Sequence, residues 1–438
     1  MRETLEEYRK KARKMGEHGV IAICMWSTCL PLNNFLLYIH LYLPTKLLQM
    51  KPHFWLVFHL LGATLAAFRP RDSKLKCEPS LTTASGLLAS AITGPICSGD
   101  LLFEDNFDTF DYETWQHEIT LAGGGNWEFQ WYTNNRSNSY TEQGVLIIRP
   151  TLSANDFGES FLTSGTLNLH GGAPADQCTN AQFWGCERTG NPMNVLNPIK
   201  SARIRTVNSF AFKYGKVEVN AKMPSGDWLW PAIWFLPKHN SYGSWPASGE
   251  IDLLESRGNR DLMQGGVHVG VEQMTSTLQY GPYPQQNAWK TTHFARNTAQ
   301  GNGFNKDFHR YQLEWTPDRI TFSIDDVETG TINVGDGFWL YGNFDAKAPG
   351  IENPWRFGSS MAPFDQEFYC IINLAVGGTG YFPDDAVNPG GKPWLNTSPR
   401  AATEFWNGRN QWLPTWKLEE NFSKDASLQV DYVRIWAL

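Results

Sequence analysis

Residues Gly215–Met223 read GKVEVNAKM, in which Val217, Val219, Ala221 and Met223 alternate with Lys216, Glu218, Asn220 and Lys222. Alternation at period two places the apolar set on one face of a strand and the polar set on the other. Outward from this segment the same texture recurs at Gly144–Pro150, Arg310–Trp315, Arg319–Asp325, Tyr369–Ala375 and Leu428–Trp436, with Gly, Pro, Asn and Asp between the runs. No long stretch carries apolar residues at i, i+3, i+4 and i+7, the helical spacing. Many short strands separated by turn residues predict an all-β sandwich or barrel. From Ser98 to Leu438 the chain reads as one domain without internal repeats, in which loops such as 171–200 and 278–307 absorb length.

The 438 residues are 41% hydrophobic, enough for a large core. Charged residues make up only 18%, and the net charge is -7. That balance excludes a disordered polyelectrolyte and argues against a nucleic-acid partner. Aromatics reach 14%, and seventeen of the 19 Trp follow residue 98. Most of these rings are expected in the core, but indole faces also hold sugars, and the acidic balance makes a glycan the leading ligand.

Ahead of the domain, Arg9, Lys10, Lys11, Arg13 and Lys14 precede an apolar stretch, Val20–Leu43, that Pro31, Asn33 and Asn34 interrupt. A second signal starts at Met50: Lys51 supplies positive charge, Phe54–Ala67 an uncharged apolar run, and Ala63, Ala66 and Ala67 small residues for cleavage. This pattern fits a secretory signal peptide. Residues 1–49 are then an N-terminal extension, 50–67 a signal peptide, 68–97 a linker or N-terminal strap, and 98–438 the β domain. The expected product is a secreted, extracellular monomer with no membrane segment in the mature chain; the rival is a membrane anchor built from residues 20–43. After Ala67 the cysteines are Cys77, Cys97, Cys178, Cys186 and Cys370. Without C-x-x-C pairs or a zinc-spaced His–Cys cluster, no metal site is expected. Local pairs Cys77–Cys97 and Cys178–Cys186 would staple two loops, leaving Cys370 as a buried thiol in the run Phe368–Ile372. Sequons at Asn135, Asn396 and Asn421 agree with secretion.

The chemical signal is Gly249–Ser256, GEIDLLES. In a regular strand Glu250 and Asp252 share one face, and Leu254, not Glu255, follows them on it. One extra residue, a β-bulge, returns Glu255 to the acid face. Three carboxyls on one face repel one another unless some keep protons, the arrangement that drives pKa values apart. A glycosidase needs such a division between a nucleophile and an acid/base. The competing reading is an edge strand with acids facing solvent. Upstream lies Gly226–Pro237, GDWLWPAIWFLP, where Trp228, Trp230 and Trp234 share parity and suggest three indoles on one face. Trp245 precedes the acids by five residues, and Pro231 warns of an edge or a broken strand. Serine-nucleophile, phosphate-loop and dinucleotide motifs are absent.

These residues resemble glycoside hydrolase family 16, in its laminarinase-like and invertebrate β-1,3-glucan-binding protein branch. The likeness spans 98–438 and also rests on Ser201–Met223, Asp100–Phe110 (DLLFEDNFDTF), Asn373–Gly378 (NLAVGG) and Val430–Trp436 (VDYVRIW). It implies a β-jelly-roll sandwich, like concanavalin A, with a concave glycan cleft. It implies Glu250 as nucleophile, Asp252 as its proton-network neighbour and Glu255 as general acid/base of a retaining endo-β-1,3-glucanase. Trp230, Trp234, Trp245, His268 and Arg205 would position the β-1,3-glucan. His268 looks like the cleft histidine on the next strand, against the alternative of a hydrogen-bonded structural residue. A structural calcium occurs in some members, with Asp431 and Glu104 as its ligands here; otherwise no cofactor is implied. Insect recognition proteins of this branch carry an extra N-terminal module, for which 68–97 is too short, and have usually lost the glutamates that this chain keeps. The alternative function is non-catalytic binding of β-1,3-glucan or lipopolysaccharide in innate immunity.

Overall fold

Strand alternation produces two large sheets in the computed structural model, which describes residues 77–171 and 176–438. The N-terminal extension expected over 1–49, the signal peptide expected over 50–67, and residues 68–76 lie outside the described residues. Nine strands form the first sheet: β1 (Thr83–Ser85), β2 (Gln116–His117), β3 (Arg203–Arg205), β4 (Ala211–Lys213), β5 (Leu229–Pro237), β6 (Glu250–Ser256), β7 (Gln273–Gln279), β8 (Phe294–Asn297) and β9 (Phe368–Val376). Their order is β1-β4-β9-β5-β6-β7-β8, with β3 pairing both β9 and β2. The second sheet has eight strands and runs Val327–Asn333, Arg319–Ile324, His309–Trp315, Gly215–Lys222, Leu428–Trp436, Val145–Ile148, Ser139–Glu142, with Leu101–Asp105 also on Leu428–Trp436.

The facing sides share one buried cluster. Val217, Val219 and Ala221 of the opening segment lie in it with Ile233, Phe235, Ile251 and Ile372 of the first sheet. This is a β-jelly-roll sandwich, its core assembled from the apolar halves of alternating strands. On the far side of the first sheet a smaller cluster holds Ala211, Tyr369 and Ile371, with Trp234 and Leu236 packed on it. That outward face carries the acids.

Pro231 neither breaks β5 nor puts it at an edge. β5 is flanked by β9 and β6, and Pro231 pairs with Leu374 of β9 while lying beyond the last β5–β6 pair, Ala232 with Glu255. A residue without an N–H there removes no bond from that ladder. Before the sandwich, Pro79 bridges to Cys97 and β1 pairs with β4. Both expected disulfides form, Cys77–Cys97 and Cys178–Cys186, and Cys370 is the free, buried cysteine among the described residues. Burial pushes its thiol pKa up, which keeps it unreactive.

Helices are short. The longest among the described residues, Ala401–Asn407, has 7 residues and stacks Phe405 on Trp412 at 4.2 Å. Trp115, Trp228, Trp315, Trp394, Trp412 and Trp416 are fully buried, so much of the tryptophan content is core. Among the described residues no helix is long and apolar enough to cross a membrane.

Ile372 sits in the middle of β9 with no exposed surface, opposite Ile233 and Ile204. Ile372→Ala is expected to lower unfolding stability by about 2–5 kcal/mol through lost burial and a cavity; denaturant titration measures it.

Candidate active site

The bulge expected in the acid strand is present. Trp234 of β5 pairs with Asp252 and Ala232 pairs with Glu255, so the single residue between them on β5, Ile233, opposes two on β6, Leu253 and Leu254. On the other flank Thr277 pairs with Asp252 and Thr275 with Glu255, giving the same one-residue excess. Leu253 and Leu254 both turn into the core, and Glu255 rejoins the face of Glu250 and Asp252. The irregular step leaves the carbonyl of Leu253 off the ladder, and the buried Ser276 hydroxyl donates to it at 2.7 Å.

Each acid has its own donor. The indole N–H of Trp245 donates to Glu250 Oε2 at 2.9 Å, and that of Trp230 donates to Glu255 Oε1 at 2.9 Å. Gln279 Nε2 donates to Asp252 Oδ2 at 3.1 Å, and Asp252 shares a hydrogen bond with Glu250. Burial raises all three pKa values. Glu255 is pushed up to about 8, chiefly by desolvation and then by the neighbouring Asp252, against the opposing pull of Trp230 and Arg257. Glu250 and Asp252 form a tightly coupled pair. Desolvation raises both, but the shared hydrogen bond lowers Glu250 and raises Asp252, so Asp252 keeps the proton and Glu250 ionises first. The row therefore offers an ionisable carboxylate, a proton holder beside it, and a separate carboxylic acid that stays protonated near neutrality.

The predicted tryptophans divide. Trp230 and Trp245 reach the acids through their N–H groups. Trp230 is buried and stacked on Tyr381 at 3.9 Å with parallel rings, so it works as a donor to Glu255 and that ring face is closed to a sugar. Trp245 is 43% exposed. Trp234 donates to Asn373 Oδ1 at 2.7 Å and lies under the Arg203 guanidinium at 5.0 Å. Trp228 departs from the expected row of three. It precedes β5 in a left-handed conformation (φ 67°), which breaks the alternation, and its ring is packed in the core against Phe382 and Trp394.

Arg205 and His268 are placed differently from expectation. Arg205 donates to Gln116 and Glu118, each at 3.0 Å, and contacts no carboxyl of the row. Arg203, on the same face of β3, is the buried cation facing the site: it pairs with Glu118 at 3.3 Å and its charge opposes the rise at Glu250. His268 lies in a separate two-stranded hairpin, Met263–Gln264 with Val267–His268, not on the strand beside β6. That neighbour is β7, and the histidine bonded to it is His293, whose Nδ1 is 2.9 Å from Thr277 Oγ1, opposite Asp252 in register.

Other groups close the site from far along the chain. Arg257 lies 4.2 Å over the Tyr381 ring and donates to the Tyr381 carbonyl at 2.8 Å, making a layered group with Trp230 behind Glu255. Glu128, buried and bonded by Gln130 at 2.6 Å, adds negative charge near Glu255. Asn373 was visible within NLAVGG, and Arg203 shares parity with Arg205; Gln279, Glu128 and Tyr381 carried no local signal. The two calcium candidates are engaged by protein: Glu104 accepts from Arg434 Nε at 2.8 Å and Asp431 from Asn220 at 2.8 Å. Among the described residues no group of three or more His, Cys, Asp and Glu is arranged to hold a metal.

Comparison with known proteins adds the following. The profile described as glycosyl hydrolases family 16 matches residues 181–337. The β-1,3-glucan-binding protein of Penaeus monodon is 50% identical over 361 residues, covering 81% of this chain and 96% of that protein. β-1,3-Glucan-binding protein 1 of Manduca sexta is 35% identical over 369 residues, covering 83% of this chain and 68% of that one. Among solved structures, the laminarinase from Rhodothermus marinus aligns at 25% identity over 77% of this chain and 97% of its own, with a TM-score of 0.47.

Two outcomes follow for stability. Ser276→Ala orphans the Leu253 carbonyl and should cost roughly 1–3 kcal/mol in chemical denaturation. Glu255 has a folded pKa above its unfolded value, so below about pH 4.5 both states are protonated and it costs nothing. As pH rises from there through about 8, the unfolded state ionises first and stability falls. Glu255→Gln should therefore gain up to about 4 kcal/mol over wild type at pH 8.5 and little at pH 4, read from paired thermal melts.

Proposed function

The chain belongs to glycosyl hydrolase family 16, on the branch of invertebrate β-1,3-glucan-binding proteins, and from that premise we propose that its acid-bearing face binds β-1,3-glucan and hydrolyses it with retention. The names of its relatives support the binding half most directly. The hydrolytic half rests on one observation: the bulge at Leu253 sets Glu255 on the face of Glu250 and Asp252, with distinct donors on each acid.

In this reading, Glu250 attacks the anomeric carbon while Glu255 gives its proton to the leaving oxygen. Glu255, now ionised, takes a proton from water, which attacks the same carbon and releases Glu250. Asp252 holds a proton against Glu250, keeping the nucleophile oriented and anionic. Trp245 and Trp230 fix the two carboxyls by their N–H groups, and Arg203 with Arg257 tempers the negative charge. Trp234 and Trp245 remain the aromatic contacts for the glycan, with Arg205 and His268 outside the immediate acid row.

A binding-only recognition protein is the second reading, favoured by the names of the relatives. The intact acid row supports chemistry in addition to binding. We further propose an extracellular monomer, a placement supported by the two disulfides.

Reducing ends released from laminarin separate the readings. Wild type should release them, with a rate that rises as Glu250 ionises and falls as Glu255 loses its proton. Glu250→Gln should lose at least about a thousandfold in kcat while still pulling down with insoluble β-1,3-glucan. Binding without release by wild type would withdraw the hydrolytic half and leave the recognition protein.

A further inference from the structure

Near the acids the aromatic rings are packed or bonded, but one group points outward. Trp127, Phe183 and Trp184 are 50%, 48% and 71% exposed, and the rings of Trp127 and Phe183 meet edge to face at 5.4 Å. All three residues adopt left-handed backbone, with φ of 50°, 52° and 56°. Bulky L residues take that conformation only where the surroundings impose it.

The surroundings here are specific. The Cys178–Cys186 disulfide closes the loop that carries Phe183 and Trp184. Arg188 donates to the Phe183 carbonyl at 2.8 Å and to the Leu121 carbonyl at 2.9 Å, and Thr120 Oγ1 donates to the Asn180 carbonyl at 2.8 Å. These bonds tie the loop to the segment that leads into Trp127. The next residues connect to the acid row: Phe129 N–H donates to Val376 at the end of β9, and Thr379 N–H donates to the Asn126 carbonyl, each at 2.8 Å. Two residues further on is Tyr381, stacked on the Trp230 that holds Glu255.

Composition points to the occupant. Residues 119–127, ITLAGGGNW, and 178–186, CTNAQFWGC, contain no charged side chain. An anchored aromatic group carried on two segments that lack charge and hold Asn126, Asn180 and Gln182 suits a neutral polysaccharide, which offers C–H faces for stacking and hydroxyls for amides. We propose that Trp127, Phe183 and Trp184 form an outlying subsite that stacks a β-1,3-glucan chain running past the acid row, so that long chains bind more tightly than short ones. The inference rests on the glucan-binding reading above.

The test uses the full chain carrying Glu250→Gln, so that ligands persist, and measures affinity for long soluble laminarin and for a β-1,3-linked trisaccharide. Adding Trp184→Ala should weaken laminarin binding roughly three- to tenfold, the scale of one lost aromatic contact, and leave the trisaccharide unchanged. Trp184→Phe should restore most of the loss. Equal losses for both ligands, or no loss for either, overturn the subsite and leave the glucan reading standing. A parent that binds neither ligand overturns both. Unchanged laminarin affinity with lost binding to anionic phospholipid vesicles would assign the patch to a membrane surface and overturn the subsite.

Discussion

Between Asp252 and Glu255 the acid strand carries one more residue than either neighbour, and both flanking ladders are registered around that excess. Side chains alternate strictly in a strand, so straightening the bulge with all its residues kept would turn Glu255 toward the core and Leu254 onto the acid face. Two leucines anchored in the sandwich interior and the Ser276 hydroxyl on the Leu253 carbonyl hold the step in place. Everything on the acid face inherits its geometry from this point, including the reach of the Trp230 N–H to Glu255 and the separation of Glu255 from the Glu250–Asp252 pair.

Three carboxyls near one another and away from water make a destabilised patch on an otherwise well-packed sandwich. Local donors offset part of that cost, and they do so unequally. Trp245 and the shared proton of Asp252 favour the charged form of Glu250, whereas Glu255 has a single indole donor, with desolvation and the neighbouring acids against it. The layered Arg257, Tyr381 and Trp230 come from three different strands or loops, so the tuning of Glu255 is a property of the assembled fold. A rigid two-sheet scaffold with a continuous core tolerates such a patch because the penalty is local.

Tryptophan shows how far parity can be read. Trp230 and Trp234 fall on the face that alternation assigns them, since both lie within β5. Trp228 has the same parity and belongs to the core, because the strand begins after it and its left-handed backbone resets the direction of the side chain. The arginines repeat the lesson. Alternation puts Arg203 and Arg205 on one face of β3, yet which of them meets the acids depends on where β3 lies along β9. His268 was assigned to the next strand in order; instead a short hairpin intervenes before β7, and Gly265 and Gly266, both at positive φ, make its turn.

The amino-acid sequence by itself determined the all-β class and the principal long strands, and it pointed to the two local disulfide pairs and to the bulge that groups the acids. These follow from period-two alternation, from cysteine proximity along the chain and from carboxylate spacing, all of which act within a few residues. Tertiary structure alone decided which donors meet each acid and where the protons reside. Gln279, Arg203, Glu128 and Tyr381 reach the site from strands and loops far apart in sequence. Strand order and register bring them together, and desolvation by that assembly, not any local motif, raises the pKa values.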